Sequence, residues 1–255
     1  LDEIVLAAAD ARYSITLLPI AATSSGVSGA IDRLSEEAVD GILVTVEPHL
    51  LAGAEVTLPD DLPIVVVNSG SGGDLSLVDS DQRGGARLAT RHLLDLGHRT
   101  VWHLAGPAES ATSGDRTSGW SETLREAGID PPPVLAGDWS AESGYRHGTE
   151  LAARDDVTAV FVANDQMALG LIQALHAAGR SVPGEISVVG FDNMPESAYF
   201  WPPLTTVHQD FAAIGRSAIA LLLDRLEQRT GPAVGEERVI PTRLIIRQST
   251  SAPTP

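Results

Sequence analysis

Cysteine is missing from this 255-residue chain, and aromatic residues make up only 4% of it. Without cysteine there is no disulfide, no thiolate nucleophile and no zinc–thiolate site. No apolar run reaches the length of a membrane-spanning helix, so we expect no membrane partner. Basic residues are also few: 17 arginines and lysines stand against 34 acidic residues, giving a net charge of −17. Such a surface repels phosphate groups, so these residues alone are not expected to bind nucleic acid.

The sequence patterns of common enzymes and metal sites are missing as well. None of the seven histidines has the HExxH spacing of a zinc site, and no GxSxG elbow occurs. The glycine-rich stretch Gly70–Gly73 lacks the lysine and the helix of a phosphate-binding loop. His208 is expected to be structural. We therefore predict that the chain is not an enzyme and has no metal site, and no cofactor is implied.

What the chain does have is a regular alternation of apolar β-branched runs with runs of helical periodicity, and 43% of its residues are hydrophobic. This alternation predicts βαβ units around parallel sheets. Three glycines, Gly97, Gly128 and Gly179, are expected to end helices. The predicted strands are Ser14–Ile20, Gly41–Val46, Pro63–Asn68, Thr100–Ala105, Val134–Gly137, Thr158–Ala163, Ile186–Gly190 and Thr205–Val207; the predicted helices are Leu1–Arg12, Val27–Ala38, Gln82–Leu96, Asp115–Ala127, Ala141–Ala153, Asp165–Ala178 and Phe211–Gln228.

The two ends of the chain carry their own expectations. The chain opens on the predicted helix Leu1–Arg12, whereas a doubly wound sheet normally begins with a strand. We therefore expect the first strand, and whatever precedes it, to lie outside this sequence. Acidic residues within Leu1–Arg12 are unlike the basic start of a signal peptide. The tail from Ser249 is expected to be loose.

An apolar run, Val157–Ala163, ends abruptly at Asn164 and Asp165, where a helical pattern begins. Both side chains are expected at the carboxyl end of a buried strand, which is the edge where open α/β sheets bind ligands. Asp165 is interpreted as the N-cap of the helix. Asn164 is then not needed for the cap and is free to face a ligand.

Three further predicted strands lead to polar or aromatic residues, namely Arg116, Trp139 and Asp192. Because the carboxyl ends of parallel strands share one edge, these side chains are expected to converge with Asn164 on one crevice. A guanidinium, an amide and a carboxylate suit neighbouring hydroxyls, and an indole suits the C–H face of a sugar ring. The set predicts a carbohydrate site. The alternatives that stay open are a structural ion pair between Arg116 and Asp192 and a core position for Trp139.

Longer motifs run from the first helix to near the C-terminus. They are HLLDLGHR at residues 92–99, GDWS at 137–140 with SGY at 143–145, ANDQMALG at 163–170, ISVVGFD at 186–192 and PPLTTV at 202–207. In these motifs the chain resembles the effector-binding core of the LacI/GalR (lactose-repressor) family of bacterial transcription regulators. The family's DNA-binding helix-turn-helix head and hinge helix have no counterpart in this sequence.

The resemblance implies an α/β fold of two doubly wound parallel-sheet lobes, periplasmic-binding-protein-like and joined by three crossovers. The N-terminal lobe is expected to comprise residues 1–97 and 211–236, and the C-terminal lobe residues 98–210 and 237–248, with residues 249–255 as a tail. The family's effector contacts fall on Arg116, Trp139, Asn164, Asp192, Gln209, Phe211, Ser110, Thr112 and Thr45. Gly84 departs from the pattern, because the lactose-binding member of the family has an acidic pocket residue there. A galactoside preference is therefore not implied.

The function implied is that of a cytoplasmic sugar sensor that represses carbohydrate-utilisation genes. A sugar bound between the lobes would shift the lobe orientation and, with it, DNA binding. The regulator would be a homodimer with Tyr199–Trp201 at its contact, and it would reach operator DNA only through the absent head. The alternative left open is the sugar-binding receptor of an ABC transporter, which would be a secreted monomer.

Overall fold

The computed structural model describes residues 2–20, 23–46, 62–67, 75–228 and 235–254. The chain divides into two compact units: unit 1 is Leu1–Ser80 with Asp210–Ile240, and unit 2 is Asp81–Gln209 with Pro241–Pro255. The backbone therefore passes between the units three times, after Ser80, Gln209 and Ile240.

Unit 1 contains a parallel sheet in the order β1-β2-β3-β9. Its strands are β1 (Ile42–Val44), β2 (Ile64–Val67), β3 (Ser76–Ser80) and β9 (Glu237–Ile240), and its described helices are α1 (Asp2–Asp10), α2 (Ser24–Glu36) and α7 (Phe211–Gln228). Valines of β2 and β3 are buried with Ile214, Ala218 and Leu221 of α7. This burial holds the longest described helix of the unit against the sheet.

Unit 2 contains a sheet in the order β10-β8-β7-β6-β4-β5, parallel except for β10, which is antiparallel to β8. Its strands are β4 (Trp102–Ala105), β5 (Leu135–Ala136), β6 (Ala159–Val162), β7 (Ser187–Asp192), β8 (Thr205–His208) and β10 (Arg243–Ile245). Its helices are α3 (Gln82–Asp95), α4 (Ala111–Glu126), α5 (Ala141–Ala152) and α6 (Asp165–Ala177), with a 3-10 turn at Pro195–Tyr199.

Helices cover both faces of the unit 2 sheet. Successive residues of β6 point to opposite faces: Val160 and Val162 join the cluster under α5 and α6, whereas Phe161 joins the cluster under α3 and α4. Every residue of β4 and β6 is consequently buried, as expected for a parallel sheet covered on both sides. This doubly wound arrangement leaves the ends of the strands as the accessible part of the sheet.

The boundaries expected from the resemblance differ from the observed ones. Residues 82–97 belong to unit 2, because Ala86, Ala89 and Leu93 of α3 are buried with Trp120 and Phe161. Residues 237–240 belong to unit 1, because β9 pairs with β3. The expected divisions at 97 and 236 are therefore wrong, and the observed ones follow Ser80 and Ile240.

The tail from Ser249 is not loose as expected. Ser249 is fully buried, its hydroxyl donates to the carbonyl of Val188 at 2.6 Å, and the same oxygen accepts from the backbone N of Thr205 at 2.7 Å. The backbone N of Ser251 donates to the hydroxyl of Ser187 at 3.0 Å. These bonds attach residues 249–251 to two strands of unit 2.

The predicted strand at Ser14–Ile20 is also wrong, since this segment forms no ladder in the described structure. A β-branched, apolar sequence becomes a strand only where a neighbouring backbone supplies the other half of the hydrogen bonds. The segment lines an apolar cavity of about 730 Å³ together with residues of β1 and α2. No helix in the described ranges is both long and apolar enough to cross a membrane.

Candidate functional site

Seven of the nine residues implied by the resemblance lie in unit 2, and two, Thr45 and Phe211, lie in unit 1. The seven are Ser110, Thr112, Arg116, Trp139, Asn164, Asp192 and Gln209. Asp192 is the last residue of β7, Asn164 follows β6, and Gln209 follows β8. In unit 2 these polar groups therefore gather at the carboxyl edge of one parallel sheet, which is the predicted geometry.

Arg116 lies at the centre of this edge. It is only 3% exposed, although it carries a permanent charge. Its Nη1 lies 3.6 Å from Asp192 Oδ1 and donates to the carbonyl of Ala163. Its guanidinium carbon lies 3.8 Å from the centre of the Phe191 ring and 5.5 Å from that of Trp139. A buried charge needs such partners, because leaving it unpaired costs several kcal/mol.

Arg116 and Asp192 are also linked through two amides. Arg116 Nε donates to Gln82 Oε1 at 2.9 Å, and Gln82 Nε2 donates to Gln209 Oε1 at 3.1 Å. Gln209 Nε2 then donates to Asp192 Oδ1 at 2.7 Å. These four side chains, which we call the buried quartet, join three of the predicted ligand residues to Gln82. Gln82 did not emerge from the sequence.

The N-cap of α6 is Asn164 and not Asp165, so that part of the prediction is wrong. Asn164 has extended backbone angles, and its Oδ1 accepts from the backbone N of Met167 at 2.8 Å. Its Nδ2 donates to the carbonyl of Trp139 at 3.0 Å. Asn164 thus holds the Trp139 loop against the start of α6, and only one amide hydrogen remains beyond these two bonds.

Asp165 is fully buried and accepts two hydrogen bonds, from the Thr206 hydroxyl at 2.6 Å and from the backbone N of Met194 at 2.8 Å. Burial raises the pKa of Asp165 to about 7, while the Thr206 bond opposes the rise. Burial likewise raises the pKa of Asp192, against the lowering effects of Arg116 and of the Gln209 bond. The edge therefore holds one buried and one partly buried carboxyl group, Asp165 and Asp192, whose protons are retained more strongly than in water.

Trp139 and Asp192 both have positive φ, at 70° and 103° respectively. Such angles are rare for residues other than glycine, asparagine and aspartate, and they cluster at ligand sites where the surrounding structure enforces them. The Trp139 ring lies against Gly106, where an added Cβ would come within 2.3 Å of the ring. Trp139 is half-buried and packs against the core cluster without being enclosed by it.

Ser110 and Thr112 lie at the start of α4, on the same helix as Arg116. Ser110 is the N-cap, since its hydroxyl accepts from the backbone N of Ser113 at 3.4 Å. Thr112 and Arg116 are four residues apart and thus share one helix face. Both Ser110 and Thr112 are buried.

Three histidines of unit 2, His98, His103 and His208, have structural partners. His103 is enclosed between Phe161 and Trp120, its Nδ1 lies 3.0 Å from the Phe161 carbonyl, and burial lowers its pKa to about 4. His98 bridges Thr158 and the carbonyl of Ser251, and His208 pairs with Asn193. Within the described ranges, no group of three or more histidine, aspartate and glutamate side chains is arranged to hold a metal.

The other two implied residues, Thr45 and Phe211, belong to unit 1. Thr45 is exposed after β1 and lines the apolar cavity of that unit, and Phe211 is half-exposed at the first position of α7. Apart from Thr45 and a few other polar groups, the lining of this cavity consists of aliphatic side chains such as Ile31, Ile42 and Leu222. Such a surface does not match the hydroxyls of a sugar.

The chain is similar in sequence to known transcriptional repressors. Residues 90–250 match the model of the periplasmic binding protein-like domain. The lactose operon repressor of Klebsiella pneumoniae is 36% identical over 235 residues, which cover 91% of this chain and 65% of that protein. The transcriptional repressor PurR of Haemophilus influenzae is 32% identical over 242 residues, which cover 93% of this chain and 72% of that protein. The chain thus spans about two thirds of the length of these relatives.

Two solved structures agree with the sequence matches. A dimeric lac repressor with an 11-residue C-terminal deletion superimposes with a TM-score of 0.89 at 29% identity, covering 99% of this chain and 93% of that one. The transcriptional regulator CelR in complex with cellobiose superimposes with a TM-score of 0.85 at 30% identity, covering 97% of this chain and 76% of that one.

Proposed function

Because this chain belongs to the lactose-repressor (LacI/GalR) family of transcriptional regulators, we propose that it is the sugar-sensing part of a cytoplasmic repressor. The sugar binds at the carboxyl edge of the unit 2 sheet, where it contacts Arg116, Trp139, Asn164 and Asp192. The observation that carries the proposal is the meeting of a partly buried carboxylate, a buried guanidinium and a half-buried indole at this edge.

Asp192 is the principal acceptor for the ligand. Its Oδ1 accepts from Gln209, and Oδ2 has no hydrogen bond to any described residue. Oδ2 is thus the atom that accepts from a ligand hydroxyl. The remaining amide hydrogen of Asn164 and the hydroxyl of Thr112 supply further polar contacts, and the Trp139 ring covers an apolar C–H face.

An uncharged sugar fits the edge better than a sugar phosphate or a sugar acid. The guanidinium of Arg116 already faces Asp192, Gln82 and the carbonyl of Ala163. Asp192, whose Oδ1 lies 3.6 Å from Arg116 Nη1, already compensates this cation and repels an additional anion. The net charge of −17 acts in the same direction over the whole surface.

A regulatory role is favoured over a transporter receptor because the relatives from Klebsiella pneumoniae and Haemophilus influenzae are repressors. The same relatives give no support to an enzymatic role. A ligand changes the activity of such a regulator only if it binds one conformational state more tightly than another, and each tenfold difference in affinity shifts the equilibrium by about 1.4 kcal/mol.

Contact with operator DNA is proposed to come from a part of the whole protein other than these residues. The excess of 34 acidic over 17 basic residues opposes binding to phosphate. The purified chain is expected to show no binding to duplex DNA at about 150 mM salt. Salt-sensitive binding in an electrophoretic or anisotropy assay would contradict this part of the proposal.

The functional protein is proposed to be a homodimer. The lac repressor structure that superimposes on this chain is described as dimeric. Tyr199 and Trp201 are 88% and 84% exposed, which is unusual for two large aromatic residues in neighbouring positions. A second copy would remove this apolar surface from water.

A thermal-shift screen followed by calorimetry tests the sugar proposal. The panel contains neutral monosaccharides and disaccharides, sugar phosphates and nucleobases. A neutral sugar is expected to raise the melting temperature, because ligand at 100 times its Kd stabilises the folded state by about 2.7 kcal/mol. Stabilisation by sugar phosphates or nucleobases alone, or by no compound that contains a sugar, would contradict the proposal.

A further inference from the structure

Gln82 lies between the two charged residues of the candidate site and was not among the residues implied by the resemblance. It is the first residue of α3, directly after the N-cap Asp81, and it is only 3% exposed. Its Oε1 accepts from Arg116 Nε, and its Nε2 donates to Gln209 Oε1. Burying a primary amide is costly unless both its ends find partners, and here both do.

The hydrogen bonds of the buried quartet all run in one direction, from the cation to the carboxylate. Arg116 donates to Gln82, Gln82 donates to Gln209, and Gln209 donates to Asp192. The charged ends fix both amide orientations, because reversing Gln82 would set its NH2 group against the N–H of Arg116. Hydrogen bonds aligned in this way polarise and strengthen one another.

The quartet also explains why Arg116 and Asp192 approach without forming a close ion pair. Asp192 Oδ1 already accepts from Gln209 at 2.7 Å, and Arg116 Nη1 remains at 3.6 Å from the same oxygen. We propose that Gln82 is a positioning residue: it holds Arg116 back and, through Gln209, turns the carboxylate of Asp192 so that Oδ2 meets a ligand hydroxyl. This inference rests on the proposed sugar site.

Two substitutions separate hydrogen bonding from packing. Gln82→Met keeps the length of the side chain and removes both hydrogen bonds. Gln82→Glu keeps the acceptor for Arg116, but the introduced carboxylate cannot donate to Gln209. Once protonated, the introduced carboxyl offers one acceptor and one donor, the same pattern as the native amide. A residue that acts only by packing would tolerate both changes and would show no recovery at low pH.

Calorimetry with D-glucose, D-galactose, lactose and cellobiose as probes tests the proposal on the full chain. Both variants are expected to bind the best probe at least about tenfold more weakly at pH 7.5, which corresponds to about 1.4 kcal/mol. The exposed Gln173 of α6 provides the control Gln173→Met, which should bind like the wild type. Wild-type affinity in Gln82→Met would overturn the proposal.

The affinity ratio of wild type to Gln82→Glu is then measured at pH 7.5 and at pH 5.5. The charged groups around position 82 are Arg116 and Asp192 of the quartet, Asp81 beside it and Asp165 near Asp192. The wild type carries all of them, so the ratio isolates the introduced carboxyl. The ratio is expected to fall toward one at the lower pH. A ratio close to one at both pH values would overturn the proposal.

A measurement without ligand distinguishes this inference from the proposed function. The Nε–H of Arg116 is expected to exchange slowly with solvent in the wild type and in Gln82→Glu, and rapidly in Gln82→Met, as observed by NMR. If no probe sugar binds the wild type, the proposed function fails while this exchange rate still decides the role of Gln82. Slow exchange in Gln82→Met would overturn that role. If Gln82→Met does not fold, the comparison of Gln82→Glu at the two pH values takes its place.

Discussion

His103 should make unit 2 sensitive to acid, because it is a neutral histidine in a fully buried aromatic cluster. Its ring stacks on Phe161 with 4.7 Å between the centres and lies 5.1 Å from Trp120. Nδ1 bonds to the carbonyl of Phe161, whereas Nε2 has no hydrogen-bond partner in the described structure. Burial lowers the pKa of His103 to about 4. Protonation in the folded state therefore needs a much lower pH than protonation in the unfolded chain.

The size of the effect follows from this difference in pKa. In the unfolded chain His103 titrates near its ordinary value of 6.5. Between that value and about 4 the unfolded state binds more protons than the folded state, so the free energy of unfolding falls as the pH falls. Between pH 7 and pH 4.5 the loss amounts to about 2 to 3 kcal/mol. Below about pH 4 the contribution of His103 causes no further loss.

Asp165 acts in the opposite direction, so the pH dependence of the wild-type free energy of unfolding does not by itself give the contribution of His103. The pKa of Asp165 is raised to about 7, and this carboxyl stabilises the folded state more as the pH falls from 7 toward its ordinary value. The test is therefore a comparison with His103→Leu, which removes the titrating ring and keeps an apolar core. In the difference between the two free energies of unfolding, the contributions of Asp165 and of every other shared group cancel.

Urea unfolding of both proteins at pH 7 and pH 4.5, followed by circular dichroism and by the Trp120 indole NMR signal, provides the numbers. Between pH 7 and pH 4.5, the free energy of unfolding of His103→Leu should rise by about 2 to 3 kcal/mol relative to that of the wild type. A difference between the proteins that stays constant within about 0.5 kcal/mol would refute the assignment of His103 as a neutral buried group.

Three further predictions concern the site and the assembly. Asp192→Asn keeps an acceptor for Gln209 and a residue that tolerates positive φ, but it removes the charge opposite Arg116. Calorimetry should show that this variant binds sugar more weakly by about 1.5 to 3 kcal/mol and that Asp192→Ala binds more weakly still. Wild-type affinity in both variants would contradict the site. Trp139→Ala should weaken binding by about 0.5 to 1.5 kcal/mol through lost stacking, whereas an unchanged Kd would place the ring outside the site. Replacing Tyr199 and Trp201 by serine should convert a dimer into a monomer in sedimentation without altering the melting temperature of the monomer by more than a few degrees; a dimer that persists would place the contact elsewhere.

The sequence is most informative where one local pattern decides the structure. The apolar run before Asn164 forms the buried strand β6, and the helical pattern after it forms α6. Gly97, Gly128 and Gly179 all have positive φ, as expected from their places after helices. In each case the signal lies within a few neighbouring residues, so no knowledge of distant contacts was needed.

Errors arose where a distant partner decides the structure. Ser14–Ile20 has a strand-like sequence but no ladder in the described residues. The strands β9 and β10 were missed because they are short and none of their residues is fully buried, so their pairing with β3 and β8 is not visible locally. Burial of α3 against α4 likewise moved the unit boundary away from residue 97.

The site residues likewise divide into those that a local pattern predicts and those that depend on more distant structure. Arg116, Trp139 and Asp192 were predicted from the ends of recognisable strands, and in the structure Arg116 lies 3.6 Å from Asp192 Oδ1 and 5.5 Å from the centre of the Trp139 ring. Gln82 was missed because β3, which precedes it, has only two apolar residues and was not recognised as a strand. The rule that polar residues after a strand face the ligand edge would have identified Gln82 once β3 was known. The capping role of Asn164 was missed because asparagine and aspartate cap helices equally well.

The most direct test of the central claim is a crystal structure of this chain with the neutral sugar that stabilises it most. We expect a sugar hydroxyl within hydrogen-bonding distance of Asp192 Oδ2 and the sugar ring against Trp139. A sugar bound in the apolar cavity of unit 1, or bound without contact to Asp192, would contradict the claim.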